Sequence, residues 1–270
     1  MRNILDTIFE HKKDEVATAK RERPLSELKD RLKQVPPARD VLQALSRAEA
    51  GSKIIAEIKR RTPFKGDLVK HFDAMEIART YAEHGAAAIS ILTDREFFGG
   101  SLDYLDQASK EIPVPLLRKD FIFTEYQVYE SRAYGADFYL LIATSLERNQ
   151  LRDLLEQGRE LGLTALVEAH DEKDLEKALY ANAKLLGINN RDLTTGKTDL
   201  NVSRRLLKEL SGLGGLYRVC ESGIHERADI EEFERLGMHA FLIGESLMKA
   251  DNIPGKLQNL LGNDKASVSG

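Results

Sequence analysis

The sequence predicts an α/β protein, a closed (β/α)8 TIM barrel with a helical N-terminal extension. Three observations lead there. Short apolar runs alternate with helical patterns eight times from residue 54 onward. Each run that can be read to its end delivers a polar or small residue. The length, 270 residues, suits one barrel of typically ~250 residues with a short addition.

Taken in order, residues 3–22 have helical periodicity, with Ile4, Leu5, Ile8, Phe9 and Val16 on one face. Pro24 can open a second helix with the stripe Leu25, Leu28 and Leu32 before Pro36 and Pro37 interrupt it. A short third helix, 41–47, leads into the first strand. The strand-like runs are 54–59, 87–92, 115–119, 138–143, 164–168, 185–189, 217–222 and 240–243. Helical patterns at 74–84, 126–134 and 146–161 end at glycines, as helix C-termini often do. Further helices open at Asp171 and span 204–210, 226–236 and 257–261. Strict alternation implies parallel strands with crossover helices, and eight units favour closure. No Gly-x-Gly-x-x-Gly follows the first strand, which weighs against an open dinucleotide-binding sheet. The expected organisation is an extension over 1–50 packing on the barrel, a barrel over 51–262 and a flexible tail over 263–270.

An apolar fraction of 42% with 31% charged residues describes a globular chain, and a net charge of -4 gives no argument for nucleic acid. The single cysteine, Cys220, fits a reducing, cytoplasmic setting. No apolar run approaches the ~18 residues of a membrane span, and no signal-peptide pattern stands at the start. The six histidines show no metal-ligand spacing.

Chemistry in such barrels sits at the C-terminal strand ends. These deliver Glu57 and Lys59, Thr93 and Asp94, Lys119 and Asp120, Glu168, Asn189 and Arg191, Glu221 and Ser222, and Gly244 and Glu245. Glu57 and Lys59 are two apart and share a face of the strand. Any one of these groups alone fits a structural role better than a catalytic one; two lysines and several carboxylates converging on one mouth point to catalysis. Ser222-Gly223 and Gly244-Glu245 put small residues where the last two strands turn outward. There, backbone N–H groups can hold a phosphate, although ordinary βα turns also use glycine.

The runs Ile55-Ala-Glu-Ile-Lys59, Leu117-Arg-Lys-Asp-Phe121, Leu166-Val-Glu168, Gly187-Ile-Asn-Asn-Arg-Asp-Leu193, Glu221-Ser-Gly-Ile224 and Leu242-Ile-Gly-Glu-Ser-Leu-Met248, with Ile4-Leu-Asp-Thr-Ile8 ahead of them, resemble the indole-3-glycerol phosphate synthase family over residues 3 to about 250. The resemblance implies a lyase of tryptophan biosynthesis. It closes 1-(o-carboxyphenylamino)-1-deoxyribulose 5-phosphate to indole-3-glycerol phosphate with loss of CO2 and water, without cofactor or metal. It implies Lys119 as general acid at ring closure, with Lys59 binding the substrate carboxylate and sharing acid work in dehydration. Glu168 would be base or electrostatic stabiliser, Glu57 a positioning or dehydration group, Asn189 an orienter of hydroxyls, and Glu221 a member of the same polar network. Phosphate would be held by Thr62, Arg191, Ser222, Gly223, Gly244 and Glu245. The anthranilate ring would lie among Phe98, Phe121, Leu140 and Leu193. The implied partner is a small phosphorylated substrate, with no nucleic acid or membrane, and the chain is expected as a monomer or weak homodimer.

The loop after the first strand departs from the family pattern. Thr62 stands where serine is commoner, Phe64 where a small serine is usual, and Arg61 where a small residue often sits. With no tryptophan in the chain, an aromatic lid from the extension would have to be another residue, such as Phe9. Two other functions fit the strand ends taken alone. One is an aldolase using Lys119 or Lys59 as a Schiff base. The other is a barrel that only binds a phosphometabolite, which would need none of the acids.

Overall fold

In the computed structural model, which describes residues 4–46, 51–192 and 194–263, eight parallel strands close into a barrel. β1 (Ile54–Ile58) is followed by a small antiparallel ribbon of β2 (Arg61–Thr62) and β3 (Gly66–Asp67). The barrel continues through β4 (Ala88–Leu92), β5 (Leu116–Lys119), β6 (Phe138–Ile142), β7 (Thr164–Ala169), β8 (Leu185–Asn189), β9 (Tyr217–Glu221) and β10 (Ala240–Ile243). Each pairs with its successor, and β1 closes the ring against both β4 and β10. The strands fall within a residue of the sequence-based bounds. These are runs of four to six residues, mostly buried on both faces, so composition alone marks them.

Strand alternation divides the core into two clusters. Ile55, Leu117, Leu140, Leu166, Val219 and Leu242 fill the barrel, while Ile54, Ala56, Leu116, Val167, Cys220 and Phe241 face the helices. Side-chain caps start several of those helices. Asp73 accepts from the Met75 and Glu76 N–H groups at the start of Ala74–Glu83, a contribution of about 1 kcal/mol. Helix Leu102–Glu111, capped by Ser101, and the single turn Glu245–Met248 were not anticipated. The first shows its buried positions, Leu105 and Ala108, at helical spacing, but Gly99-Gly100 just before it reads as loop.

The extension wraps the barrel from top to bottom. α1 (Ile4–Glu22) lies over the C-terminal mouth, where Ile4, Leu5 and Ile8 meet the barrel interior. α2 (Leu25–Leu32) runs down the outside and packs on helix Glu125–Ala133. That helix is therefore buried on nearly every side, Gln127, Glu130, Ser131 and Arg132 included. Tyr126 donates from its hydroxyl to the carbonyls of Ala19 and Arg23, both at 3.0 Å. α3 (Val41–Ala44) closes the bottom. Val41 and Leu45 enter the barrel-interior cluster, and Arg39 pairs at 3.0 Å with Asp137, just ahead of β6. Among the described residues no helix is long and apolar enough to cross a membrane. Most of the expected tail, 264–270, lies outside the described residues.

Candidate active site

The last inward-facing position of a barrel strand looks into the mouth, and on five of the eight strands that position is polar. Glu57, Lys119, Glu168, Asn189 and Glu221 follow the apolar inward residues Ile55, Leu117, Leu166 and Val219 and the inward Gly187. Lys59 lies one step past β1 and pairs with Glu57. These residues line one cavity of about 200 Å³ together with Thr62, Phe98, Phe121, Leu140, Arg191, Ser222, Gly223, Gly244 and Glu245. Every site residue expected from the sequence is thus brought together except Leu193, which lies outside the described residues. Thr93 and Asp94 do not line the cavity; they brace the turns behind it.

Lys119 is the centre of the polar cluster. Its Nζ stands 3.0 Å from Glu168 Oε2 and 2.5 Å from Glu221 Oε2. Burial by itself would lower the Lys119 pKa, but Glu221, Glu168 and Glu57 outweigh it and hold the ammonium charged. The two carboxylates are pushed apart. Burial raises both; for Glu168 this is overcome by Lys119, His170 and a hydrogen bond from Asn189, so its pKa falls. Glu221 stays raised, because burial and the neighbouring Glu168 charge exceed the pull of Lys119. The two acids are thus poised in opposite directions, one pKa lowered and the other raised, the arrangement that separates proton acceptors from donors. Glu221 Oε1 is buried without a hydrogen-bond partner.

Two inward glycines make room for these acids. A Cβ at Gly187 would collide with Glu221 Oε1, and one at Gly244 with Glu57 Oε2. Gly244 thus clears space inside the barrel as well as standing at a turn.

The turns after β9 and β10 are neighbours, since those strands pair. Ser222 and Gly223 both have left-handed backbone, with φ of 64° and 87°. Around this end Arg191 and Glu245 pair at 3.4 Å, Lys249 reaches Glu245 at 2.8 Å, and Lys65 pairs with the same carboxylate. Lys249 and Lys65 hold Glu245 well below the ordinary carboxylate range despite its partial burial. The opposite wall is aromatic. Phe98 and Phe121 have ring centroids 6.0 Å apart, and Phe9 of α1 meets Phe121 edge-on at 5.6 Å. Phe64, the departure in the loop after β1, lies over Gly196, whose Cβ would sit 2.8 Å from its ring. The ribbon is thereby laid against the loop after β8.

Sequence reading missed three participants. His170 stands two residues after Glu168, on the same face, with Nε2 3.4 Å from Glu168 Oε1; period-two spacing was the available signal. Lys65 sits in a loop, and its pairing with Glu245 is purely tertiary. Lys12 interrupts the apolar stripe of α1 between Ile8 and Val16, four residues from each.

A closed barrel with a charged lysine between oppositely poised carboxylates at its C-terminal mouth is the construction of a (β/α)8-barrel enzyme. The family model of indole-3-glycerol phosphate synthase matches residues 5–260. Indole-3-glycerol phosphate synthase of Legionella pneumophila is 45% identical over 262 residues, 97% of this chain and 99% of its relative. That of Campylobacter jejuni subsp. doylei is 43% identical over 259 residues, 96% and 100% of the two chains. The chain belongs to the indole-3-glycerol phosphate synthase family. Among solved structures, a 3-hexulose-6-phosphate synthase superimposes with a TM-score of 0.64 at 14% identity, covering 78% of this chain and 99% of the other. KGPDC from Streptococcus mutans does so at 0.59 and 14%, covering 79% and 97%. Identities this low speak for the fold alone.

Proposed function

We propose that the chain converts 1-(o-carboxyphenylamino)-1-deoxyribulose 5-phosphate to indole-3-glycerol phosphate, CO2 and water, as a carboxy-lyase of tryptophan biosynthesis. The observation that carries this reading is Lys119 held charged between Glu168 and Glu221, in the same cavity as the Glu57–Lys59 pair. In it, the ring carbon bearing the carboxylate attacks the ribulose carbonyl carbon while Lys119 gives a proton to the carbonyl oxygen. The ring–carboxylate bond then breaks, CO2 leaves, and its electron pair restores the aromatic ring. The new hydroxyl leaves as water with acid help from Lys59 and Glu57, and Glu168 accepts the proton whose loss completes the indole.

Binding divides the cavity in two. Lys59 meets the substrate carboxylate, and the ring lies against Phe98, Phe121, Leu140 and, by the family motif, Leu193. The phosphate sits against the backbone of Ser222, Gly223, Gly244 and Glu245, with Thr62 and Arg191 beside it. Asn189 orients the sugar hydroxyls and Glu221 completes the network. A Schiff-base role needs a neutral amine, so the carboxylates that keep Lys119 charged count against an aldolase. A cytoplasmic setting fits the lone buried thiol of Cys220, which burial pushes up to about 12; we propose a monomer or weak homodimer there.

The test is direct. Purified protein is mixed with the carboxyphenylamino sugar phosphate and indole fluorescence is followed, against little background because the chain has no tryptophan. Turnover to an indole product is expected; a folded protein giving none overturns the reading.

A further inference from the structure

We infer that Lys12 is a positioning residue, whose buried ammonium ties α1 to the two turns that aim Phe98 and Phe121 and so fixes the aromatic wall for the substrate's ring. The inference rests on the proposed function for the identity of that ring. Lys12 is 1% exposed, and its Nζ stands 2.9 Å from Asp94 Oδ2, 3.0 Å from Asp120 Oδ1 and 3.0 Å from Glu15 Oε2. It does not line the cavity. Packing alone does not call for this: an apolar residue at a buried ionic position is often as stable or more so. What the charge adds is direction, because each aspartate has a second task.

Asp94 Oδ1 accepts from the N–H groups of Phe97 at 2.8 Å and Phe98 at 3.2 Å. Asp120 Oδ1 accepts from the Phe121 N–H at 2.8 Å, while Oδ2 takes the Thr93 hydroxyl at 2.6 Å and Arg118 at 3.1 Å. One ammonium is therefore shared by the turn after β4 and the turn after β5, the latter adjoining Lys119. The helix that carries it also supplies Ile4, Leu5 and Ile8 to the cavity and Phe9 to the aromatic cluster. Lifting α1 from the mouth means separating buried opposite charges. Facing Lys12 are Glu15 on α1 and the two aspartates, with Arg118 and its partner Glu130 behind Asp120. Burial alone would lower the Lys12 pKa, but Asp120, Asp94 and Glu15 more than offset it. The latch stays charged at neutral pH.

The experiment compares Lys12→Met and Lys12→Arg with the unaltered full-length chain, reading melting temperature, kcat, KM and hydrogen exchange of the α1 amides. A folded Lys12→Met protein should raise KM roughly tenfold with a smaller change in kcat, and α1 exchange should accelerate. Inhibition by inorganic phosphate should hold within about twofold, because Lys12 is tied to the turns after β4 and β5 and not to those after β9 and β10. Lys12→Arg, which keeps the charge, should raise KM less than Lys12→Met. A lowered melting temperature with KM within about twofold of the unaltered chain would mean Lys12 only stabilises, and overturns the inference. So would faster exchange at unchanged KM. Should Lys12→Met fail to fold, Lys12→Arg decides by the same limit on KM. An unaltered chain with no turnover sinks the functional reading and the claim about the ring with it, while exchange still reports whether Lys12 seats α1.

Discussion

Lys12 and Lys119 are the same side chain in nearly the same surroundings, each buried and each held by carboxylates. What differs is what lies beside those carboxylates. Asp94 and Asp120 are engaged a second time by backbone N–H groups of their own turns. The Lys119 cluster opens instead on a cavity that Lys12 never reaches. A buried, carboxylate-bound lysine is therefore not by itself a mark of chemistry. Bordering open space is what separates the reactive centre from the structural one.

The contrast can be broken most sharply at Lys119. Lys119→Ala should lose roughly 10²–10⁴-fold in turnover, the range for a general acid, with a much smaller change in KM. Turnover and melting temperature measured on one preparation decide it, since near-full turnover in a folded variant would make Lys119 a second Lys12. Next come its two partners. Glu168→Gln removes an ionised group and should cost about 10²-fold in turnover. Glu221→Gln replaces a carboxyl whose pKa burial and Glu168 already raise, so its loss should be clearly smaller; equal losses would undo the division between them. Lys59→Ala should then raise KM roughly tenfold along with a fall in kcat, as expected for a carboxylate-binding lysine.

The smallest effect lies in acid. The Asp120 pKa is lowered, with burial opposing and Lys12 and Arg118 prevailing. A depressed carboxylate contributes stability that is present above its unfolded value and lost as pH falls through the folded one. Melting temperature should therefore decline below about pH 4, and decline less steeply in Lys12→Met, where one cause of the depression is gone. Parallel slopes in the two proteins would argue that Lys12 adds little to the network.

The barrel was legible because its strands are short buried runs, five of which end in a group no core would choose. Glu57, Lys119, Glu168 and Glu221 could be read straight from those endings. The ribbon of Arg61–Thr62 and Gly66–Asp67 was not, since two-residue strands carry no periodicity. Lys65 reaches Glu245 across 180 residues of chain, a pairing no local pattern encodes. Lys12 was visible as a charge at an apolar position, yet its meaning depended on Asp94 and Asp120 arriving from two other strand ends. Leu193 carries the family motif but lies outside the described residues.

The inward glycines at 187 and 244 carry a consequence for genetics. Neither has a left-handed backbone, and the first atom a methyl would strike is the carboxylate of Glu221 in one case and of Glu57 in the other. What excludes alanine is first of all a functional group on the neighbouring strand, and only then the packing around it. Such positions invite intragenic suppression. A strain crippled by Gly187→Ala would regain folded protein through a second change that shortens Glu221, and the survivors of that selection would be stable barrels with impaired chemistry.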